Sequence, residues 1–348
     1  MINLKKGFRA EENLRDYFNR AGYFVVRGVP FKYANFDITD IDLWLYGRAS
    51  SVSREITIVD IKNKKTPQAI ERIFWIKGLQ AAVGADQAIV ATTEGRKEVK
   101  DFGKKLDVLV LDRNFISRLN KNSEENLTRY SDEEFFEEIS NYTYSKLNGD
   151  WKGRINRAKS LLTTGLTFDN ANKWLSDSQF FAEQGLVSHM HSEIALRSFY
   201  LMLSYFALSV DYLLRDILFL EPEERRKAIV EGFQYGSSGK EGIENKISMS
   251  LSLVERFYEG GASISKQIKH KVDHEFESLE ANLLGDYFSK SEVFRTLFYV
   301  AKELEEMSMS REFVHFSNSS VGVKSLIGCL FDYWGMSRNS LVQRSFDV

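Results

Sequence analysis

Near the start of the chain the apolar residues fall at helical spacing. Ala10, Leu14, Tyr17, Phe18 and Ala21 form one stripe, so residues 4–21 read as an amphipathic helix. At roughly 100° per residue, Glu11 sits on the edge of that stripe. Glu12 sits opposite it, with Asp16 and Arg20, and is expected to face water. Gly22 supplies a helix stop. The period then changes to two. Strands are expected near 23–28, 38–46 and 55–62, with Gly47 to Ser51 as a hairpin turn between the last two. Thr66 and Pro67 open a helix to about Gly84, as cap and first helical residue. A strand at 88–92, a helix at 95–105 and a strand at 107–112 follow.

After about residue 120 the strand signals fade. Ser131 and Glu134 form a capping box that opens a helix through Phe135, Phe136 and Ile139. Helical patterns continue near 151–163, 171–184, 190–220, 222–232, 240–259, 262–284, 290–308 and 320–334. The polar stretch from Asn120 to Ser131 reads as a linker, giving two domains, 1–120 and 121–348. The most lipid-like stretch, Phe199 to Leu220, carries Asp211, Arg215 and Asp216, so it reads as a buried helix and not a membrane span.

Composition adds bounds. With 43% hydrophobic and 28% charged residues, the 348-residue chain has the make-up of an ordinary globular protein. Its one cysteine, Cys329, excludes an internal disulfide and suits a reducing, cytoplasmic setting. Lys5, Lys6 and Arg9 leave no apolar signal core at the start. The net charge of −2 hides a split. Residues 1–120 hold 21 Lys+Arg against 15 Asp+Glu, a balance of +6, which leaves −8 for the remainder. The basic part is the part suited to attract phosphate.

That part also carries the candidate chemistry. Ile56, Ile58, Asp60 and Lys62 share one strand face, alternating with Thr57, Val59, Ile61 and Asn63. Two charges at the end of an otherwise apolar, β-branched strand call for a cause. An acid on the preceding strand, 18 residues before Asp60, completes a compact arrangement for holding a divalent cation beside an amine. Strand alternation puts Asp40 and Asp42 on one face and does not choose between them.

Gly7-x-x-x-Glu11, Gly22-Tyr23-Phe24-Val25-Val26-Arg27, Ile41-Asp42 and Asp60-Ile61-Lys62 follow one another in order. Together they resemble the PD-(D/E)XK nuclease superfamily, most closely Mrr-type restriction endonucleases and archaeal Holliday-junction resolvases. The stretch from Leu79 to Thr93 is similar to the helix and strand that follow the lysine in Mrr-like proteins. The resemblance covers the first third of the chain. It implies a restriction-endonuclease-like α/β domain, a mixed central sheet flanked by helices in the order α-β-β-β-α-β-α-β, followed by an all-α region. It also implies a metal-dependent DNA endonuclease, placed in restriction or defence against foreign DNA. Asp42, favoured over Asp40, and Asp60 would hold Mg²⁺ or Mn²⁺ with the Ile61 carbonyl as a third ligand. Lys62 would position water or stabilise the transition state. Glu11 would stand in the outer shell or bind a second ion, and Gln80 would contact phosphate or water.

Basic residues flank these motifs: Lys64, Lys65, Arg72, Lys77, and the run Arg96, Lys97, Lys100, Lys104 and Lys105. Tyr33, Phe36 and Trp44 offer rings for stacking, with core packing the better expectation for Trp44. Cutting both strands of DNA would favour a homodimer, and the helical region offers a surface for a protein partner. A second reading is a catalytically inactive nuclease-like fold that binds nucleic acid, or a scaffold or sensor working through its helices.

Overall fold

The computed structural model describes residues 6–34, 36–63, 68–122, 128–142, 149–187 and 191–339. Helix α1 (Lys6–Arg20) leads to strands β1 (Phe24–Tyr33), β2 (Phe36–Arg48) and β3 (Arg54–Lys62). Then come α2 (Ala69–Val83), β4 (Gln87–Thr92), α3 (Lys97–Lys105), β5 (Leu109–Leu111) and α4 (Arg113–Asn122). The helical region comprises α5 (Asp132–Asn141), α6 (Trp151–Ser160), α7 (Phe168–Val187), α8 (Ser192–Ile217) and α9 (Pro222–Tyr235). It continues with α10 (Gly239–Phe257), α11 (Gly261–Ser278), α12 (Ala281–Phe288), α13 (Ser291–Met309) and α14 (Val321–Tyr333).

The five strands lie in the sheet in chain order. β1, β2 and β3 pair antiparallel through tight connections, and β3, β4 and β5 pair parallel. A parallel pair needs a crossover, and α2 and α3 supply the two crossovers. β3 is central and buried on both faces, which explains its nearly continuous apolar run. On one face Ala10, Leu14 and Phe18 of α1 join Ile116 and Leu119 of α4 over Val25, Leu43, Val59 and Ile89. On the other face α2 and the helical region cover Phe24, Trp44, Tyr46, Ile58 and Val90 in one continuous core. β1 and β2 run on together past the end of the β2–β3 ladder as a two-stranded ribbon, from Val29↔Ile41 to Tyr33↔Phe36.

The mixed sheet with flanking helices and the largely helical remainder agree with the expected layout. The Thr66–Pro67 helix start lies outside the described residues, as do residues 123–127 of the expected linker; α2 itself begins at Ala69. The capping box at Ser131 is formed, with Glu134 N–H donating to the Ser131 hydroxyl. Two details differ. The expected helix over 262–284 breaks at Leu279 and Glu280, where Leu279 takes an extended backbone. α4 occupies residues that the pattern assigns to no element, because its polar face is wide and only Ile116 and Leu119 bury.

α8 is the one helix among the described residues long and apolar enough to cross a membrane, and 94% of its most apolar window is buried inside the protein. Its Asp211 is fully buried and meets the sheet. The Tyr46 hydroxyl donates to Asp211 at 2.7 Å, Arg48 at 2.9 Å and Arg54 Nε at 2.6 Å. Arg48 also donates to the Phe294 carbonyl of α13 at 3.1 Å. Around this network the Phe24 ring stacks edge-on to Tyr205 at 6.3 Å, and Tyr46 lies 5.8 Å from Phe298.

Removing one partner of a buried ion network leaves the others uncompensated, at a cost of about 3–5 kcal/mol. We predict that Asp211→Asn lowers the stability by about 3 kcal/mol in denaturant titration. Asp216→Asn, at an exposed side chain, should change it by less than about 0.5 kcal/mol. Equal effects would show that Asp211 has no such role.

Candidate functional site

The β2–β3 ladder ends at Leu43↔Val59, so one step further Asp42 comes opposite Asp60. Past that rung the ribbon and β3 part company. The Asp42 carboxylate takes over as acceptor for the freed Ile61 N–H, at 2.5 Å. The N–H and C=O of an extended residue point to the same side, so the Ile61 carbonyl also points toward Asp42. Gly28 of β1 stands level with Asp42, between the pairs Arg27↔Leu43 and Val29↔Ile41, at φ +58, a conformation that glycine takes freely. A Cβ at Gly28 would meet nothing within 4 Å, so the space there is open. Asp40 is exposed on the ribbon and pairs in register with Pro30. Asp42 is therefore the acid that lies beside Asp60.

Asp60 and Lys62 continue the face of Ile56 and Ile58, toward α2. Asp60 is buried, and Lys62 is half-buried with its Nζ 3.8 Å from the Asp60 carboxylate. Arg72, in the first turn of α2, grips both oxygens of Asp60. Its Nε donates to one oxygen at 2.8 Å, and its terminal nitrogen donates to the other. Trp75, one turn on, holds the guanidinium 5.4 Å from its ring centre.

Glu11 reaches the site from α1, on the other side of the sheet. It lies 3.3 Å from Arg27 Nε. Burial pushes its carboxyl from an ordinary 4.5 to about 7, against the pull of Arg27 and with the help of Asp42, Glu133 and Glu12. Asp42 is pushed from 3.8 to about 6 by burial. The Ile61 N–H pulls it down and Asp60 pushes it up further.

Glu12 does not face water. It ion-pairs with Arg27 and, at 2.6 Å, with Arg15, and only 13% of its side chain is exposed. The helical region covers this flank of α1, with Glu133 of α5 on the third nitrogen of Arg27 and the Lys159 ammonium of α6 donating to the Arg27 carbonyl at 3.1 Å. One guanidinium thus serves three carboxylates. Burial raises Glu12 to about 7 even beside Arg27.

Gln80 lies elsewhere. α2 runs back along the sheet, so its last turn is at the far end of β3, where the Gln80 amide donates to the Asp86 carbonyl at 2.9 Å and Asp86 accepts from Ile56 N–H. Ile56 precedes Asp60 by four residues, about 13 Å of strand. Gln80 is therefore removed from the candidate site, and its 18-residue separation from Lys62 spans a whole helix. Trp44 is core, whereas Tyr33 and Phe36 are exposed at the ribbon tip. Lys64 and Lys65 lie outside the described residues. Arg72 stands out in sequence only as one flanking cation; its spacing of ten after Lys62, at a helix start, is the signal that it returns to the strand end. Gly28 carries no motif, and Arg27, which closes the Gly22 to Arg27 motif, gives no sign in the sequence of the carboxylates it serves.

The donor set suits a hard cation. Asp42 and Asp60 are oxygen donors on adjacent strands, the Ile61 carbonyl points to the same side, and burial, the main cause of the raised Asp42 and Glu11, leaves these carboxyls few water partners. Among the described residues no three His, Cys, Asp or Glu side chains converge as a closed ligand group. Mg²⁺ does not need one, since it is held by one or two carboxylates together with water and phosphate. Asp60 becomes a ligand only if Arg72 releases it.

No known protein family matches the chain, and neither does any curated protein or solved structure.

The raised carboxyls set a pH dependence. In the unfolded chain Glu11 and Asp42 titrate near 4.5 and 3.8, and in the folded chain near 7 and 6. Their stabilising contribution is complete below about pH 4 and is lost as pH rises through 6 to 7. Glu11→Gln should flatten that fall and leave the variant more stable than wild type at pH 8, by on the order of 2 kcal/mol. Denaturant titrations at pH 5 and 8 check it; parallel pH profiles for the two proteins would refute it.

Proposed function

We propose that the chain is a divalent-metal-dependent nuclease that hydrolyses phosphodiester bonds in DNA, built on a restriction-endonuclease-like domain of the PD-(D/E)XK type. The observation that carries the reading is the end of the β2–β3 ladder at Leu43↔Val59, just past which the Asp42 carboxylate accepts from Ile61 N–H, next to Asp60 in the chain, with Lys62 near the Asp60 carboxylate. When bound there, Mg²⁺ or Mn²⁺ would polarise a phosphate oxygen and lower the pKa of an attacking water.

The chain's own residues divide the remaining work. Asp42 and Asp60 are the ligands, with the Ile61 carbonyl beside them. Lys62, held near Asp60 but half-exposed, has its ammonium free to face phosphate and offset the charge that builds on it. Glu11 stands behind Asp42 and, being protonated near neutrality, can hand on or take up a proton at its carboxyl. Arg72 holds Asp60 until a cation competes for it, and is then a donor for a phosphate oxygen.

The same Arg72 contact supports a second reading, a nuclease-like fold that binds nucleic acid without cutting it. There Arg72 would be the lasting counter-charge of Asp60.

Plasmid cleavage in Mg²⁺ or Mn²⁺, with an EDTA control, separates the two. Wild type should cut only with metal, and Lys62→Ala and Asp60→Asn should cut at least ~10²-fold more slowly while staying folded. Equal cutting by Lys62→Ala would sink the assignment. Arg72→Ala gives a second check. Under the nuclease reading it lowers the Mg²⁺ concentration for half-maximal cutting, because a competitor for Asp60 is gone. Salt-sensitive DNA binding without any cutting would put the binding reading first.

A further inference from the structure

β3, β4 and β5 are parallel, so their carboxyl ends share one rim of the sheet. Lys62 ends β3 there, and α3 and α4 start from the same rim, on opposite faces of the sheet. Between them, at the β5 edge, lies an open groove of about 530 Å³ lined by Lys100, Asp112, Asn114, Ser117, Arg118 and Lys121.

The lining has a consistent chemistry. Asn114, Ser117, Arg118 and Lys121 follow the i, i+3, i+4, i+7 spacing and form one polar face of α4, opposite buried Ile116 and Leu119. Across the groove, Lys100 shares its face of α3 with exposed Lys97 and Lys104. Among the described residues neither Arg118 nor Lys121 has an acidic partner. The groove's one acid is already committed. The Asp112 carboxylate accepts from Phe115 N–H at 3.0 Å, capping α4, and lies 2.6 Å from Lys100 Nζ. Lys100 and that cap hold it below the usual carboxylate range in spite of burial. Two unpaired cations and two neutral donors therefore face open space.

A solvated helix face can be basic without purpose. This face differs in sharing a groove with α3, in adding amide and hydroxyl donors, and in its place on the rim. Across the ladder Asp60 is joined through Val90 to Val110. Two strand spacings and two residues of rise put Asp112 about 12 Å from Asp60. That is a few nucleotides along a nucleic-acid strand, and ligands of open α/β sheets collect at the carboxyl ends of the strands.

We infer that the α3–α4 groove binds backbone phosphates of the nucleic-acid substrate, a few nucleotides from the phosphate at Asp42 and Asp60. The inference rests on the nuclease reading for its choice of ligand, but the groove contact can be tested without cleavage. The contact is electrostatic and blind to sequence, so it sets affinity and orientation while Lys62 and the two aspartates set the chemistry.

The test is fluorescence anisotropy of a labelled 20-base-pair DNA in EDTA, between 50 and 200 mM salt, for wild type, the double variant Arg118→Ala/Lys121→Ala and the charge-matched control Lys266→Ala/Lys269→Ala. Both groove residues are exposed, and thermal melts confirm that the double variant folds. The double variant should bind roughly tenfold or more weakly, and its plot of log K against log salt should be shallower by about 2, one unit per lost phosphate contact. Lys266→Ala/Lys269→Ala, which removes two exposed cations of α11, should bind as wild type does. The same slope for wild type and double variant overturns the groove, as does the absence of DNA binding by wild type. Single-stranded DNA and RNA of the same length show which backbone the groove prefers. An effect on inorganic pyrophosphate alone, with polynucleotide binding unchanged, would make the groove a small-anion site and refute the inference. Binding lost in the double variant while wild type never cuts would uphold the groove and defeat the hydrolytic reading; normal binding by the double variant with cutting by wild type would do the reverse.

Discussion

Arg48 and Arg54 face each other on the last rung of the β2–β3 hairpin. Like charges directly across a ladder repel, and here both guanidiniums are also largely shut off from water. Asp211 of α8 makes that rung tenable by placing a carboxylate between them. The exchange is mutual, because a fully buried aspartate is itself untenable without cations and the Tyr46 hydroxyl. This contact docks the helical region on the sheet and fixes the hairpin register at the same time. A slip of one residue would turn every β3 side chain to the other face. Asp42 would then no longer stand beside Asp60, so the acid pair of the site is held in part from the far end of the same two strands.

The second organising element is the uneven sharing of charge around α1. Arg27 meets Glu11, Glu12 and Glu133, while Asp60 has Arg72 and Lys62 close at hand. Carboxylate is in excess on the α1 side and balanced on the α2 side. Burial is the main reason that Glu11 and Asp42 hold their protons to unusually high pH; neighbouring carboxylates add to it, while Arg27 opposes it at Glu11 and the Ile61 N–H opposes it at Asp42. A cation arriving between the two sides would relieve that excess. Glu133 belongs to the helical region, so the docking of that region bears on the proton affinity of Glu11.

The sequence was most legible where a residue's environment is set by its own element. The Ala10, Leu14 and Phe18 part of the α1 stripe, the shared face of Asp60 and Lys62 and the order of the first eight elements all follow from local period, whereas Tyr17 and Ala21, expected on the same stripe, are exposed. Legibility failed where distant chain supplies the environment. Glu12 looks solvated on a helical wheel, but α5, more than a hundred residues later, brings Glu133 to the same guanidinium and closes that flank. Gln80 follows Lys62 closely in sequence, yet a crossover helix carries its last turn away from the strand end. Arg72, in the first turn of the same helix, returns to it. Asp42 could be told from Asp40 only once the ladder was seen to end at Leu43, leaving the Ile61 N–H to be claimed by a side chain.

α10 and α11 stand apart from all this. α10 contributes no buried residue, and Met249, Leu253 and Phe257 along it are exposed. The hairpin these two helices form therefore draws little on the central core. Its backbone hydrogen bonds can open at a free energy well below that of global unfolding, without disturbing α8 or the sheet. In amide exchange it would behave as a separate cooperative unit, trading its protons early while β3 keeps its own. A chain built this way can have its helical hairpin loosened, clipped or remodelled over time with the charged rung at Asp211 left intact.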